Sequence, residues 1–175
     1  EYDRTVLGST TPKFYYGLNL SASYKGFDFS ALFQGLGGYQ RQIGSYMAYA
    51  FYNGGQIQRW QAENCWTKEN PDKWAEYPRI ETMNMNHPNL QTSDYWVRNA
   101  SFLRLKNLQL GYTLPQAWTK KIGIEKLRVY VSGQNLFSFN SFYQGWDPEN
   151  EIGTGDSPSY YPITAIYSFG FNFKF

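Results

Sequence analysis

The last nine residues alternate without a miss. Tyr167, Phe169, Phe171, Phe173 and Phe175 fall on one parity, and Ser168, Gly170, Asn172 and Lys174 on the other. A period of two marks a β-strand with two chemically different faces. An aromatic face this dense needs a neighbour other than water, either a protein core or hydrocarbon. The choice constrains the whole chain. A core asks for a second layer of structure to cover the strand. Hydrocarbon asks for a sheet with no open edge, because lipid offers no hydrogen bonds to unpaired backbone groups.

Composition narrows the classes. The 175 residues are 20% aromatic and only 17% charged, with a net charge of +2. No run approaches the roughly 20 apolar residues that a spanning helix requires. A helical membrane protein is therefore excluded. A membrane β-barrel is not, since its strands show only alternating hydrophobicity over about 10 residues. The near-neutral charge argues against nucleic acid as a partner. Cys65 is the only cysteine, so no internal disulfide can form. No basic stretch followed by an apolar run opens the chain at Glu1. The chain is expected to be an internal or C-terminal piece of something longer, or a mature product.

Five strands are predicted. In the first, Phe14–Tyr24, residues Phe14, Tyr16, Leu18, Leu20, Ala22 and Tyr24 share a face. Lys25-Gly26 makes a tight turn, Gly supplying positive φ. In the second, Phe27–Gly37, residues Phe27, Phe29, Ala31 and Phe33 share a face, with Leu32 and Leu36 off pattern. The two form a hairpin. The third spans 101–114. Leu103 and Leu105 lie on one parity and Leu108, Leu110, Tyr112 and Leu114 on the other, so the phase slips at Lys106-Asn107. A β-bulge there restores the facing. Pro115 ends the strand, and 116–122 reads as a partly helical turn. The fourth strand covers 126–139 and the fifth 163–175.

The connections alternate in length. Those at Lys25-Gly26 and 115–123 are short. Those at 38–100 and 140–162 are long, rich in Asn, Gly, Pro and Trp, and without strand periodicity. Loops of this length are uncommon in a compact domain unless functional. Short turns on one side and long loops on the other are the habit of membrane barrels. Five strands cannot close one, since the smallest have about eight. The expected architecture is thus all-β: an antiparallel transmembrane segment of about five C-terminal strands with two long outer loops. The alternative is a soluble β-sandwich that binds carbohydrate through aromatic loops, with the Phe ladder as its core. A piece of barrel with a structural role only is a third reading.

Candidate chemistry is sparse. No catalytic constellation stands out, so no enzymatic activity is expected. His87 is the only histidine and reads as an exposed loop residue. Cys65 lacks a nearby base and reads as an incidental thiol. The carboxylates of Asp147, Glu149 and Asp156 could offer oxygen ligands to calcium, although their spacing is not that of a helix-flanked calcium loop. The blander reading is a turn-rich loop with a corner at Asp147-Pro148. No cofactor is expected. Trp60, Trp66, Trp74, Trp96 and Trp146 lie in or beside the long loops. Their faces could stack on sugar rings, but packing, a membrane-interface girdle or a protein partner uses tryptophan equally well.

Several runs resemble one family. The stretch 93–115, Ser-Asp-Tyr-Trp-Val-Arg-Asn-Ala-Ser-Phe-Leu-Arg-Leu-Lys-Asn-Leu-Gln-Leu-Gly-Tyr-Thr-Leu-Pro, looks like the C-terminal barrel signature of SusC/RagA-type TonB-dependent transporters. So do 121–136, Lys-Ile-Gly-Ile-Glu-Lys-Leu-Arg-Val-Tyr-Val-Ser-Gly-Gln-Asn-Leu, and Gly145-Trp-Asp-Pro-Glu149. Leu7-Gly8, Pro12-Lys13, Tyr24-Lys-Gly-Phe-Asp28 and Tyr77-Pro78-Arg79 are similar too. The resemblance spans nearly the whole chain and is weakest over 39–85 and 151–160.

The resemblance implies a large outer-membrane barrel of about 22 strands, of which residues 1–175 would be the C-terminal part. The plug domain and the remaining strands would lie outside this chain. It implies import of glycans or peptides with a SusD-like surface lipoprotein as lid, energised by the TonB complex through the plug. It places the chain in the Gram-negative outer membrane, C-terminus periplasmic and long loops extracellular. Tyr167, Phe169, Phe171 and Phe173 would face lipid, and with Phe175 would form the signal read by the outer-membrane assembly machinery. Arg104, Lys106 and Arg128 would face the lumen, paired with the plug or with nearby carboxylates.

Overall fold

The computed structural model describes residues 4–81, 87–143, 145–150 and 163–175. Asp156 and most of the 140–162 connection lie outside them. In chain order the elements are β1 (Phe14–Tyr24), β2 (Phe27–Gly37), β3 (Gln40–Gln42), α1 (Ser45–Ala48), α2 (Arg59–Glu63), β4 (Val97–Asn99), β5 (Phe102–Thr113), α3 (Gln116–Thr119), β6 (Lys126–Asn140) and β7 (Ile166–Lys174). The five long strands form one antiparallel sheet in the order β1-β2-β5-β6-β7. That order is the sequence order of the predicted strands. β3 and β4 pair separately. This small ladder inside the first long connection was not foreseen, because three residues are too few to show a period. β7 begins at Ile166 rather than at 163.

The pairing register builds two faces. One row across the sheet is Tyr24, Phe27, Tyr112, Val129 and Phe171; the next is Ala22, Phe29, Leu110, Val131 and Phe169. Between them run polar rows, Ser23, Asp28, Gly111, Tyr130 and Gly170, then Ser21, Ser30, Gln109, Ser132 and Ser168. Among the described residues nothing covers the apolar face. Phe169 is 63% exposed and Phe171 52%. Every residue of β1 is exposed. Among the described residues β1 and β7 each have one partner strand, so both edges of the sheet are open. A sandwich would bury these rings beneath a second layer, and no second layer packs against this sheet among the described residues.

The phase slip sits where the sequence puts it. Between β5 and β6 the register passes from Leu105 to Asn107 on one strand and from Phe137 to Gln134 on the other. Lys106 is the extra residue of β5. On β6, Asn135 takes φ +51°, a left-handed conformation that Asn tolerates better than most residues. The bulge keeps Arg104 and Lys106 on the polar side while Leu103, Leu105, Leu108 and Leu110 all stay on the apolar side. At the hairpin, Lys25 (φ +46°) and Gly26 (φ +89°) supply the two positive φ values of a primed turn.

Ala31, Phe102 and Leu105 are buried within the sheet, but the buried aromatic cluster lies in the long connections at one end of it. It consists of Ile43, Ala48, Tyr49, Ala50, Tyr77, Trp96 and Tyr143. The sheet therefore holds its strands by hydrogen bonds and cross-strand contacts, while the loops hold themselves by an aromatic core of their own.

Gly35 in β2 shows how tightly the sheet is fitted. Tyr16 on β1 lays its ring across Gly35 and donates its phenol to the Phe102 carbonyl at 2.7 Å. A Cβ at Gly35 would lie 2.2 Å from that carbonyl and 2.5 Å from the Tyr16 ring. The carbonyl is backbone and cannot rotate away. Gly35→Ala is expected to destabilise the protein by about 1–3 kcal/mol, and Tyr16→Phe by about 0.5–1.5 kcal/mol. Urea-unfolding midpoints in detergent measure both, and a Gly35→Ala midpoint at or above the wild-type value would refute this packing.

Candidate functional site

The polar face is organised by two ion-pair clusters. In the lower one, Arg128 on β6 reaches over Gly111 of β5 to Asp28 on β2. Its Nε donates to Asp28 Oδ2 at 2.8 Å, and Nη2 donates to Oδ1 and, at 3.3 Å, to Gln109 Oε1. The bridge requires a glycine beneath it, since a Cβ at Gly111 would lie 2.4 Å from the guanidinium and 2.5 Å from the carboxylate. The Arg128 guanidinium also lies 4.9 Å from the Tyr130 ring. Tyr130 in turn lies over Gly170. Four strands are thereby tied together through side chains on one face.

The upper cluster joins sheet to loop. Arg104 is buried, 2% exposed. Its Nη2 donates to both carboxylate oxygens of Asp147, one at 2.6 Å. Its Nε lies 2.9 Å from Glu149 Oε2, outside hydrogen-bonding direction, so that contact is electrostatic. Lys106 donates to the other oxygen of Glu149. The turn is held from its other side by Arg41, which donates to the carbonyls of Pro148, at 2.8 Å, and Asn150. Tyr39 adds a 3.3 Å bond to Pro148. Arg104, Lys106 and Arg128 thus all meet carboxylates within the chain. The sequence anticipated that pairing in general terms but not the partners, which are far away along the chain. Arg41 and Tyr39 were missed, because no periodic pattern marks them.

The carboxylates considered for calcium have this other employment. Asp147 and Glu149 are engaged by two cations, and Asp156 lies outside the described residues. Among the described residues no group of His, Cys, Asp or Glu side chains could hold a metal ion.

The loop tryptophans divide by packing. Trp96 is 1% exposed, meets Tyr49, Tyr77 and Tyr95 edge to face, and donates its indole to the Asn89 carbonyl at 2.7 Å. Trp60 is half-buried and edge-on to Tyr77 and Tyr143. Trp66 and Trp146 are half-buried. Trp74 alone of the five stands out, 81% exposed, with Lys73 over its ring at 5.6 Å. His87 differs from expectation. It is half-buried, with Nε2 2.7 Å from a Glu81 carboxylate oxygen and Nδ1 accepting from the Asn89 amide. Cys65 is half-buried beside Tyr77.

The loop core is closed by phenols. Tyr77 donates to the Ala48 carbonyl at 2.8 Å and accepts from the Ala50 amide. The buried Gln61 amide donates to the same Ala48 carbonyl. Burial pushes the Tyr49, Tyr77 and Tyr143 phenols above their ordinary range, and the Tyr95 phenol up to about 12. The described parts of the two long connections are thus pinned by ion pairs and buried phenols.

No family model matches the sequence. Curated relatives do. TonB-dependent receptor P3 of Formosa agariphila is 33% identical over 184 aligned positions, covering 99% of this chain and 17% of that protein. TonB-dependent receptor P26 of the same organism is 30% identical over 99% of the chain. TonB-dependent receptor SusC of Bacteroides thetaiotaomicron is 38% identical over 47% of it. Among solved structures, the RagAB peptide importer in its closed-closed state superposes with a TM-score of 0.70 at 28% identity, covering 96% of this chain and 18% of that one. In the open-open state the TM-score is 0.68. The chain spans less than a fifth of the length of the relatives it matches along nearly all of its own.

Two outcomes are expected. Arg104→Met leaves Asp147 without a cation and Glu149 with Lys106 alone, in a partly buried site, and is expected to cost about 3 kcal/mol, read as faster proteolysis within 145–150 while the sheet stays folded. An unchanged cleavage rate would refute the anchoring. The buried phenols have folded pKa values above the unfolded value of about 10. Their contribution is complete below about pH 10 and is lost as pH rises through about 12 for Tyr95. An alkaline titration should show tyrosinate forming in two stages, the later one together with loss of the near-ultraviolet dichroism. A single stage with the dichroism intact would contradict the burial.

Proposed function

We propose, from a chain homologous along nearly all of its length to a segment of SusC/RagA-like TonB-dependent receptors, that it is part of an outer-membrane transporter importing oligosaccharides or peptides. The observation that carries this reading is the uncovered aromatic face of a five-stranded sheet with open edges. Such a sheet is stable in water only with a cover, and in lipid only as an arc of a closed barrel. The apolar face then meets hydrocarbon and the polar face the lumen. The hairpin at Lys25-Gly26 and the turn after Thr113 point to the periplasm, and the aromatic loop core to the outside. Both loop structure and the exposed face disfavour a carbohydrate-binding sandwich, which would need the Phe ladder for its own core.

The rest of the device belongs outside residues 1–175: a plug in the lumen, a TonB contact, and the remaining strands. A SusD-like lipoprotein is the partner for the outer loops. Trp74 supports such a contact, or one with substrate, better than the other loop tryptophans, because its ring is exposed and theirs are buried or half-buried. Lumenal Arg104, Lys106 and Arg128 serve the wall and its loop rather than the solute. The terminal pattern Tyr167, Phe169, Phe171, Phe173 and Phe175 fits the assembly signal of a last strand. The role is transport, with no bond-making chemistry assigned to this chain.

Deleting the parent gene from its source bacterium should abolish growth on one class of glycan or peptide, with loss of TonB giving the same defect. Growth unchanged on all such substrates would refute the transport reading. Removing Phe175 from the parent protein should lower the amount of heat-modifiable barrel in the outer membrane more than the uptake per assembled molecule. Unchanged barrel yield would sink the assembly role.

A further inference from the structure

The short-turn end of the sheet carries a feature that transport does not use. Three pieces of chain meet there. The Gly26 carbonyl accepts from Thr113 at 2.7 Å, and the Lys174 carbonyl accepts from Glu125 at 2.8 Å. The hairpin turn, the 114–125 connection and the end of β7 are thereby stitched into one rim. In the connection, α3 runs into a 3-10 turn, Lys120–Ile122, which Gly123 closes at φ +76°. Buried Thr119 anchors it, its carbonyl accepting from Ile124 at 3.1 Å. This firmly held turn projects side chains that the protein leaves uncovered. Trp118 is 64% exposed and Ile122, four residues on, 68%. Lys120 and Lys121 are exposed between them, and Lys25 stands at the neighbouring hairpin.

The charge on this rim is one-sided. The only acid in the two turns is Glu125, and it is taken by Lys174 at 2.9 Å. Among the described residues Lys25, Lys120 and Lys121 join no ion pair. Directly above the rim on the apolar face lie Tyr24, Phe27, Tyr112, Phe171 and Phe173. Indole and isoleucine beside lysine, at the edge of an aromatic band, is the chemistry of a membrane interface: rings settle at the headgroup level and ammonium groups reach for phosphate.

We propose that this rim is a binding surface for phospholipids with anionic headgroups in the leaflet that the short turns enter, Lys25, Lys120 and Lys121 meeting the headgroup and Trp118 and Ile122 seating in the interface. The inference rests on the barrel reading above and adds a selectivity that a hydrophobic belt alone does not have. A belt of phenylalanine cannot tell phosphatidylglycerol from phosphatidylcholine, whereas lysines that meet no carboxylate among the described residues, Lys25 lying over the Tyr24 ring at 5.2 Å, can.

The test uses the full-length parent protein, extracted in mild detergent and supplied with equal amounts of phosphatidylglycerol and phosphatidylcholine, the retained lipid being counted by native mass spectrometry. Wild type should retain phosphatidylglycerol preferentially. Each Lys→Gln change at 25, 120 or 121 should lower that preference by roughly fivefold at low salt. The variant with all three changed to Arg should keep it, which separates loss of charge from damage to the fold. Trp118→Ala should reduce retention of both lipids alike. Equal retention of the two lipids by wild type, or an undiminished preference in the triple Gln variant, would overturn the proposal. Heat-modifiability of the same samples reports on the barrel itself. A heat-modifiable protein without lipid preference refutes the rim alone, and a protein without heat-modifiability refutes the barrel reading with it.

Discussion

Everything in this chain follows from a sheet that satisfies its backbone but not its faces. Five strands in sequence order pair their N–H and C=O groups with neighbours, and among the described residues the order leaves one unpaired edge at β1 and another at β7. The rings of Phe169 and Phe171 lie open on one side, where burial of a phenylalanine side chain is worth about 1.5–3 kcal/mol. Water would penalise that face, and lipid would penalise the edges. Only closure with further strands relieves both. On the barrel reading proposed above, the sheet is an arc whose stability belongs to the barrel that completes it.

The ion pairs on the opposite face answer a second constraint. On the barrel reading proposed above, this face lines the lumen, and its charged side chains must be matched with opposite charges. Asp28 and Arg128 solve this across three strands, and Gly111 between them has no side chain to obstruct the bridge. Tyr130 and Gly170 repeat the device one strand further on, with a ring in place of a salt bridge. Arg104 is costlier. Almost wholly buried, it would be a liability alone, and the loop turn 147–150 supplies two carboxylates for it. The wall thereby recruits the loop. The loop turn is built on charges presented by the strand beneath it, which is why the bulge at Lys106 matters: in an unbroken strand Lys106 and Leu108 would share a face, and either the cation or the leucine would point the wrong way.

The strands were legible because a period of two survives translation from sequence to geometry. Even the irregularity at Lys106-Asn107 announced itself, as a change of parity among leucines. The hairpin was equally plain from Lys25-Gly26. What stayed hidden was everything set by contacts between distant residues. Arg41 reaching Pro148, Arg128 reaching Asp28 across a glycine, and His87 meeting Glu81 leave no local trace. The long connection 38–100 looked featureless because its core draws on scattered positions, Ile43, Tyr49, Tyr77 and Trp96, with no repeat to link them. The tryptophans suffered most from this. Composition made five of them equal candidates for contact, and only packing separates Trp96, with its indole bonded inside, from Trp74, which stands in solvent.

That separation bears on how the loop surface could recognise anything. A flexible loop must lose conformational freedom when it closes on a partner, at a cost of about 0.5–1.5 kcal/mol for each side chain immobilised. Here much of that ordering is already done. Edge-to-face rings, buried phenols and the Arg104 cluster hold the loop backbone before any partner arrives, and a side chain such as Trp74 projects from a fixed base. Recognition by such a surface depends on matching shape rather than on wrapping. The same logic holds at the other end of the sheet, where Thr119 fixes a turn so that Trp118, Lys120 and Lys121 are presented together. Among the described residues, each end of the sheet is a hydrogen-bonded frame for a few exposed side chains, and the strands between them set the distance from one to the other.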